Sequence, residues 1–187
     1  MNLPNKRASQ PAEHQSSDED KQYLTFMLKD AMYAIGILHI KEILEYSNVT
    51  PVPMMPNFIK GVINLRGAVV PVIDLSARFG CNQSSIVKRT CIVIIEVLNE
   101  EGMQDIGVVV DAVSEVIEIS RSNIEPAPAF GAQIRADFIQ GMGKINGDFV
   151  IILQVDKVLS VEEMSMVSNL AQGQGHGQKT VAEQRTN

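Results

Sequence analysis

The chain has 187 residues, of which 45% are hydrophobic and 20% charged, and its formal net charge at pH 7 is −6. This length suits one ordinary domain or two small lobes, and the acidic balance argues against a nucleic-acid-binding protein, because phosphate contacts require clustered Lys and Arg. No stretch is long and apolar enough to span a bilayer, and the N-terminal segment lacks the apolar region of a signal peptide. The sequence therefore predicts a cytoplasmic protein that does not insert into membranes.

Both ends of the chain are polar, and both predict disorder. Residues 1–21 contain Pro, Gln, Ser and acidic residues with almost nothing to bury, and residues 168–187 are rich in Gly and Gln. Between them, residues 22–167 are dense in Val and Ile. We interpret this middle segment as the folded domain.

The folded segment consists mainly of short strand patterns. At its start, Leu24, Phe26 and Leu28 alternate with other residues and share one face. Residues 39–46 favour one or two helical turns, and residues 157–170 carry apolar positions at helical spacing. The remaining strand patterns lie at residues 32–37, 62–74 (a hairpin), 91–98 (buried on both faces), 106–111, 116–120 and 149–155.

So many short strands with so few helical patterns predict an all-β fold, a barrel or a sandwich, and not a parallel α/β sheet. An internal repeat refines this prediction. NFIKG at residues 57–61 recurs as DFIQG at 137–141, and the offset of 80 holds without a gap through the following hairpin. Upstream, a Pro-x-Pro motif and a Glu-Ile or Glu-Val pair also recur, with slightly smaller offsets.

The repeat predicts two similar lobes of roughly 65–70 residues, interleaved near residues 22–90 and 91–160. Neither lobe is large enough to bury much apolar surface alone, so the two should share a hydrophobic core.

The repeat also singles out Arg66. In the second copy, Asn146-Gly147 takes the place of Arg66-Gly67, and Asn-Gly is the favoured pair for a two-residue hairpin turn because both residues tolerate positive φ. Arginine is a poorer choice for that conformation, so the turn itself does not require it. Two interpretations stay open: a solvated arginine at a loop tip, or a cation that meets a carboxylate or a partner protein.

Groups that could carry catalysis or bind a metal are sparse. His14 and His176 lie in the polar ends, and His39 stands alone in the sequence. Cys81 and Cys91 have no second pair to complete a metal site, and we interpret them as reduced thiols of which one or both are buried. No nucleophile is accompanied by a base. The sequence thus predicts a binding module and not an enzyme, with no cofactor or metal.

Five segments together resemble the CheW coupling proteins of bacterial chemotaxis: ILHIKEI, VTPVPMMP, FIKGVINLRGAVVPVIDL, GVVVDAVSEV and IEPAPAF. The resemblance covers roughly residues 22–167. It implies two five-stranded SH3-like β-barrels around a common hydrophobic core, with short helices at the connections and the C-terminus. It also implies a scaffold without enzymatic activity, which joins the cytoplasmic tips of methyl-accepting receptors to the regulatory domain of the histidine kinase CheA at membrane-associated receptor arrays.

The resemblance further implies a receptor-facing groove, and within it a pairing between Arg66 and Glu42. The positions that match the groove of the family are Ile40, Glu42, Gly61, Asn64, Arg66 and Gly67. Kinase contacts are not assigned to residues, and weak association between copies in array rings is left open. Two alternative functions also stay open: the same adaptor role in another chemosensory pathway, and a small-molecule enzyme or sensor that uses the cleft between the lobes.

Overall fold

The computed structural model describes residues 21–128 and 136–172, which fold into two β-sheets and two α-helices. The helices are α1 (Leu75–Arg78) and α2 (Val161–Gln172), and short 3-10 turns connect several of the strands. The strands are β1 Lys21–Leu28, β2 Ala31–Gly36, β3 Ile40–Glu45, β4 Ile59–Leu65, β5 Ala68–Asp74, β6 Cys91–Asn99, β7 Gly102–Val110, β8 Ala112–Ile119, β9 Ile124–Glu125, β10 Ile139–Ile145 and β11 Asp148–Leu153.

The segments predicted to be disordered fall largely outside the described residues. This holds for residues 1–20 at the N-terminus and for residues 173–187 at the C-terminus, and therefore for His14 and His176 as well. At the C-terminal boundary, α2 continues to Gln172, beyond the predicted end of the folded domain at residue 167.

The two sheets share one plan, which confirms an all-β fold of two similar lobes. The first sheet has the order β8-β1-β2-β11-β10-β9, and the second has the order β3-β6-β7-β5-β4. All neighbouring strands are antiparallel except β2 with β11 and β5 with β7, which occupy equivalent places in the two sheets. The first sheet has one strand more than predicted, because the two residues of β9 pair with β10. In the second sheet, a single bridge between Thr50 and Val62 takes that place.

The hairpin turns have the conformation that the repeat predicts. Arg66 and Asn146 have φ of 51° and 50°, and the glycines that follow them, Gly67 and Gly147, have φ of 88° and 91°. Two consecutive residues with positive φ are typical of a type I′ turn, whose twist matches that of the flanking strands. The turn around Arg66 is therefore the same turn that Asn-Gly forms in the other lobe.

The prediction of helical turns at residues 39–46 is wrong. Only Ile37–His39 forms a 3-10 turn, and β3 follows directly as an outer strand of the second sheet. Along β3 the side chains alternate between exposed and half-buried positions, since pairing with β6 turns every second residue inward. On the exposed face, Lys41 Nζ lies 2.9 Å from Glu96 Oε1 and 2.7 Å from Asp105 Oδ1 on the neighbouring strands. Pairing with β6 thus overrides a local sequence pattern that fits a helix as well as a strand.

The hydrophobic core has three parts, and the largest is shared by the two lobes. Strand β6 shows how it is built: Ile92 and Ile94 face the interior of the second barrel, while Val93 and Ile95 face the shared core. This alternation confirms that β6 is buried on both faces. The shared core takes its members from both sheets and from α2, whereas each barrel interior holds only a small cluster of its own. The predicted common core is confirmed.

Helix α2 covers one side of the shared core. Met164 and Val167 are buried there, and Leu170 packs partly against it, as the helical spacing predicted. The two thiols differ from the prediction: Cys81 and Cys91 are free, but both are half-exposed and neither is buried. Cys81 follows α1, and Cys91, the first residue of β6, packs against the edge of the shared core and is only partly covered.

Substitutions of two glycines test how much the close approach of Thr50 to Gly61 matters for stability. The φ of Gly61 is 145°, and a Cβ at this position would lie 2.0 Å from the carbonyl oxygen of Thr50. We expect Gly61→Ala to lower the free energy of unfolding by about 2–5 kcal/mol, because the clash is with backbone that pairs with β4. Gly67→Ala also places a side chain at positive φ but meets no atom within 4 Å, so it should cost only about 1–2 kcal/mol. Urea unfolding of both variants measures the difference, and equal losses would show that the close approach does not matter.

Candidate partner-binding site

The hairpin between β4 and β5 forms the centre of the candidate site. Its turn is fastened by Asn64, whose Oδ1 accepts a hydrogen bond of 2.9 Å from the backbone N–H of Gly67. Asn64, Arg66 and Gly67 are all exposed. In the second lobe, Lys144 takes the position of Asn64. The two hairpins therefore share a backbone conformation and differ in the side chains that they present.

Arg66 forms a two-pronged ion pair with Glu42. Its two terminal nitrogens lie 2.6 Å and 3.0 Å from Glu42 Oε1 and Oε2. The pairing that the family resemblance implied is therefore present. Since β3 and β4 stand at opposite ends of the strand order, this contact joins the two edges of the curled second sheet. The planar guanidinium matches both carboxylate oxygens at once, which a lysine could not do.

A β-bulge in β3 sets the direction of Glu42. Ile40 pairs with Ile95 and Glu42 pairs with Ile94, so the intervening Lys41 has no partner in the ladder. A bulge of this kind bends a strand and changes the direction in which its side chains point. Here Lys41 reaches the charges on the outer face of the sheet, and Glu42 reaches the hairpin tip.

The ion pair is open to solvent on one side. The side chain of Arg66 is 76% exposed and that of Glu42 is 24% exposed. The two hydrogen bonds use two of the five N–H groups of the guanidinium. Given its exposure, the rest of the guanidinium is available to a partner, while Glu42 holds its plane in one orientation.

Hydrogen bonding to Arg66 holds the pKa of Glu42 below its ordinary value of 4.5, although partial desolvation of the carboxylate opposes the shift. The same hydrogen bond raises the pKa of Arg66. A carboxylate with a lowered pKa contributes stability above its unfolded pKa and loses it as the pH falls through the folded pKa. The pair is thus fully formed at neutral pH and breaks only in acid, below pH 4.5.

The other two predicted residues lie deeper. Ile40 is half-buried and packs against the shared core. Gly61 is buried beneath the backbone of Thr50, and its lack of a side chain lets that segment cross β4 closely. Gly141 has the same relation to Glu125 in the other lobe, which marks this glycine as a requirement of the fold. The structure therefore brings Glu42, Asn64, Arg66 and Gly67 together at the surface, whereas Ile40 packs against the shared core and Gly61 is buried.

A buried carboxylate at the end of β5 fixes the base of the hairpin. Asp74 is fully buried and accepts hydrogen bonds from the backbone N–H of Ala77 and from both the N–H and the hydroxyl of Ser84. Lys60, next to Gly61 in β4, lies 3.5 Å from the same carboxylate. Sequence reasoning did not find this network, because Ser84 and Lys60 lack a motif that links them to Asp74.

In residues 21–128 and 136–172, no group of three or more His, Cys, Asp and Glu side chains is placed to hold a metal ion. In the same ranges, neither helix is long and apolar enough to cross a membrane.

The strand plan and the charged hairpin together define a duplicated, SH3-like β-barrel protein. The family model described as the CheW-like domain matches residues 22–163. The chain therefore belongs to the CheW family of chemotaxis scaffold proteins.

Comparisons with individual proteins agree. The chain is 36% identical over 151 residues to the chemotaxis protein CheW of Klebsiella aerogenes, across 81% of this chain and 89% of that protein. It is 34% identical over 154 residues to the CheW of Helicobacter pylori, across 82% and 90% of the two chains. The crystal structure of the scaffolding protein TtCheW from Thermoanaerobacter tengcongensis superposes with a TM-score of 0.70 at 34% identity, over 81% of this chain and 97% of that one.

The effect of Arg66 on the pKa of Glu42 can be tested directly. We expect Arg66→Asn to raise the pKa of Glu42 toward 4.5, because the hydrogen bonds that stabilise the ionised carboxylate are removed. An NMR titration that follows the side-chain carboxyl carbon of Glu42 measures this shift. Lys144→Asn removes the same charge from the equivalent hairpin of the other lobe and serves as the control. If the pKa of Glu42 responds equally to both substitutions, the contact with Arg66 is not its cause.

Proposed function

We propose that this protein is a non-enzymatic, cytoplasmic adaptor that couples methyl-accepting chemotaxis receptors to the histidine kinase CheA, and that the hairpin carrying Arg66 is its receptor-binding site. The observation that carries the proposal is the geometry of Arg66. It is a largely exposed arginine, held by both oxygens of Glu42, in a turn that the second lobe makes with asparagine.

Arg66 lowers the stability of the turn, but its side chain suits the recognition of a partner protein. A bulky residue at a φ of 51° is strained, whereas asparagine tolerates this region. An exposed ion pair offsets little of that cost, because water screens it and two long side chains lose freedom. Arginine is, by contrast, enriched among the residues that dominate binding energy at protein interfaces. Selection for a contact with a partner explains why the first lobe keeps it.

The role of Glu42 in this proposal is to prepare Arg66 for binding. A free arginine side chain loses rotamer freedom when a partner captures it, and this loss reduces affinity. Glu42 fixes the guanidinium in advance, so that less freedom is lost on binding. It also leaves the hairpin tip with polar N–H groups that suit carbonyl or carboxylate oxygens of a receptor.

The second partner is the kinase, through its regulatory domain, and the double-barrel form supports this part of the proposal. Two lobes that share a core present surfaces on different sides of one rigid body. An adaptor of this kind acts by holding both partners at once, so that the ligand state of the receptor biases the kinase through the bridge. Recruitment to the receptors places the protein at the membrane without insertion, and weak association between copies would extend the assembly into rings.

Replacement of Arg66 by the residue of the other lobe separates binding from folding. We expect Arg66→Asn to weaken binding to a receptor cytoplasmic tip by roughly tenfold or more, because an interface arginine is lost. The thermal midpoint should stay within about 4 °C, since asparagine suits the turn. Isothermal titration and thermal unfolding measure the two effects. The control is Lys144→Asn, which should leave both unchanged. A sharp fall in the thermal midpoint of Arg66→Asn with unchanged receptor affinity would assign Arg66 to the fold alone.

The bridging role requires a three-component complex. We expect the protein to co-purify with a CheA regulatory domain alone, with a receptor tip alone, and with both together in one species. Size-exclusion chromatography with light scattering identifies each complex by its mass. Receptor tips from different chemosensory pathways, tested side by side, identify the pathway. Competition between the two partners for the same surface would rule out the bridge.

A further inference from the structure

A second arginine, Arg78, lies at the junction of the two lobes. It is the last residue of α1, which follows β5 of the second sheet. Its side chain is only 12% exposed. Burial of a charge is costly unless hydrogen bonds and opposite charges compensate it, so the surroundings of Arg78 indicate what holds it there.

Two phenylalanines, one from each lobe, lie against the guanidinium. Its carbon is 5.2 Å from the ring centre of Phe58 and 4.7 Å from that of Phe138. These rings are equivalent positions of the repeat, 80 residues apart, and each stands directly before the hairpin of its lobe. Both distances are within the range of cation–π attraction, which strengthens when the cation is desolvated. The single guanidinium of Arg78 therefore contacts the equivalent phenylalanine in both copies of the repeat.

The polar contacts of Arg78 also cross between the lobes. Nε donates a hydrogen bond of 2.8 Å to the carbonyl of Val158, which follows the first sheet, and a terminal nitrogen donates one of 2.9 Å to Glu163 of α2. Glu163 is simultaneously part of the N-terminal cap of α2. Its Oε2 accepts a bond from the backbone N–H of Ser160, whose hydroxyl accepts one from the N–H of Glu163.

Helix α2 passes from one lobe to the other. It follows β11 of the first sheet in the chain but packs against β5 of the second. Further along, the hydroxyl of Ser168 bonds to Gln104, and the side chain of Gln172 bonds to Glu101, both in the β6–β7 hairpin region of the second sheet. Arg78 thus fixes the start of a helix that spans the junction.

The repeat shows that the fold itself does not demand this cation. The position equivalent to Arg78 in the other copy is Val158, a buried aliphatic residue. Charged groups in such positions are often replaceable by apolar ones without loss of stability. Arg78 instead favours one relative arrangement of the lobes and α2, because its hydrogen bonds to Val158 and Glu163 can form only in that arrangement.

We propose that Arg78 is a positioning residue that fixes the two lobes and α2 relative to one another, and that this fixed arrangement allows one molecule to hold the receptor and the kinase at the same time. The second half of this inference rests on the proposed adaptor function. The first half concerns the protein alone and has its own measurement.

The first measurement is hydrogen exchange of the α2 amides in the full chain. Arg78→Gln should make them exchange about tenfold faster, because the helix is released from the junction. Glu163→Gln is a gentler variant, since glutamine can still cap the helix while the charge that pairs with Arg78 is lost. It should show a similar acceleration. Glu162→Gln, at an exposed position of the same helical turn, is the matched control and should exchange as the unmodified chain does.

The second measurement compares binary and ternary binding. For Arg78→Gln and Glu163→Gln we expect affinity for the receptor tip alone and for the kinase regulatory domain alone to stay within about twofold. Affinity for the second partner, once the first is bound, should fall about tenfold. Relative to Arg78→Gln, Arg78→Lys keeps the positive charge beside the two rings but loses the planar guanidinium, so it should restore part of that loss.

Two outcomes would overturn the inference. If α2 exchanges faster but ternary affinity is unchanged, Arg78 only stabilises the fold. If the unmodified chain binds neither partner, the proposed function is wrong and the assembly role of Arg78 is lost with it. Exchange data would then show whether Arg78 still fixes the helix. If Arg78→Gln does not fold, Glu163→Gln decides the same questions.

Discussion

The shared hydrophobic core is the constraint on which the rest of this structure depends. Each barrel encloses only a small apolar cluster, whereas the core between the barrels takes side chains from both sheets and from α2. Strands such as β6 alternate between the two, with Ile92 in the barrel and Val93 in the shared core. Because hydrophobic stabilisation scales with the apolar area removed from water, neither lobe is expected to be stable alone. The two lobes are therefore expected to fold as one unit.

Comparison of the two copies distinguishes residues that the fold requires from residues that have another role. Where the copies agree, as at Gly61 and Gly141, the backbone dictates the residue, because a Cβ would collide with a crossing chain in both lobes. Where they differ in the same conformation, the difference has another cause. Arg66 replaces asparagine at an exposed turn, and Arg78 replaces Val158 in the interior. The internal comparison thus identifies two arginines at positions that the other copy fills with an uncharged residue.

Much of this architecture could be predicted from the sequence, since its signals are local or repeated. The offset of 80 residues predicted the hairpin conformation at Arg66, and alternating patterns, β-branched runs and the repeat together predicted most strands. Residues 40–45 were assigned wrongly because IKEILE suits a helix as well as a strand, and only pairing with β6 decides between them. Glu42 was linked to Arg66 through family resemblance alone. The contacts of Arg78 join Phe58, Phe138 and Glu163, which are far apart in the chain, so no local pattern could indicate them.

The two arginines differ in what a substitution would cost the fold. The Arg66 pair is exposed, so water compensates for most of what a substitution removes, and the cost to folding is small. Arg78 is enclosed by two rings, a carbonyl and a carboxylate, and removal of any one partner leaves the others poorly satisfied in a region of low dielectric. A substitution at the hairpin tip is therefore expected to cost the fold less than one at the junction of the lobes. The proposed adaptor function would use this difference, because the receptor-binding surface could be substituted without disturbing the geometry at the junction of the lobes.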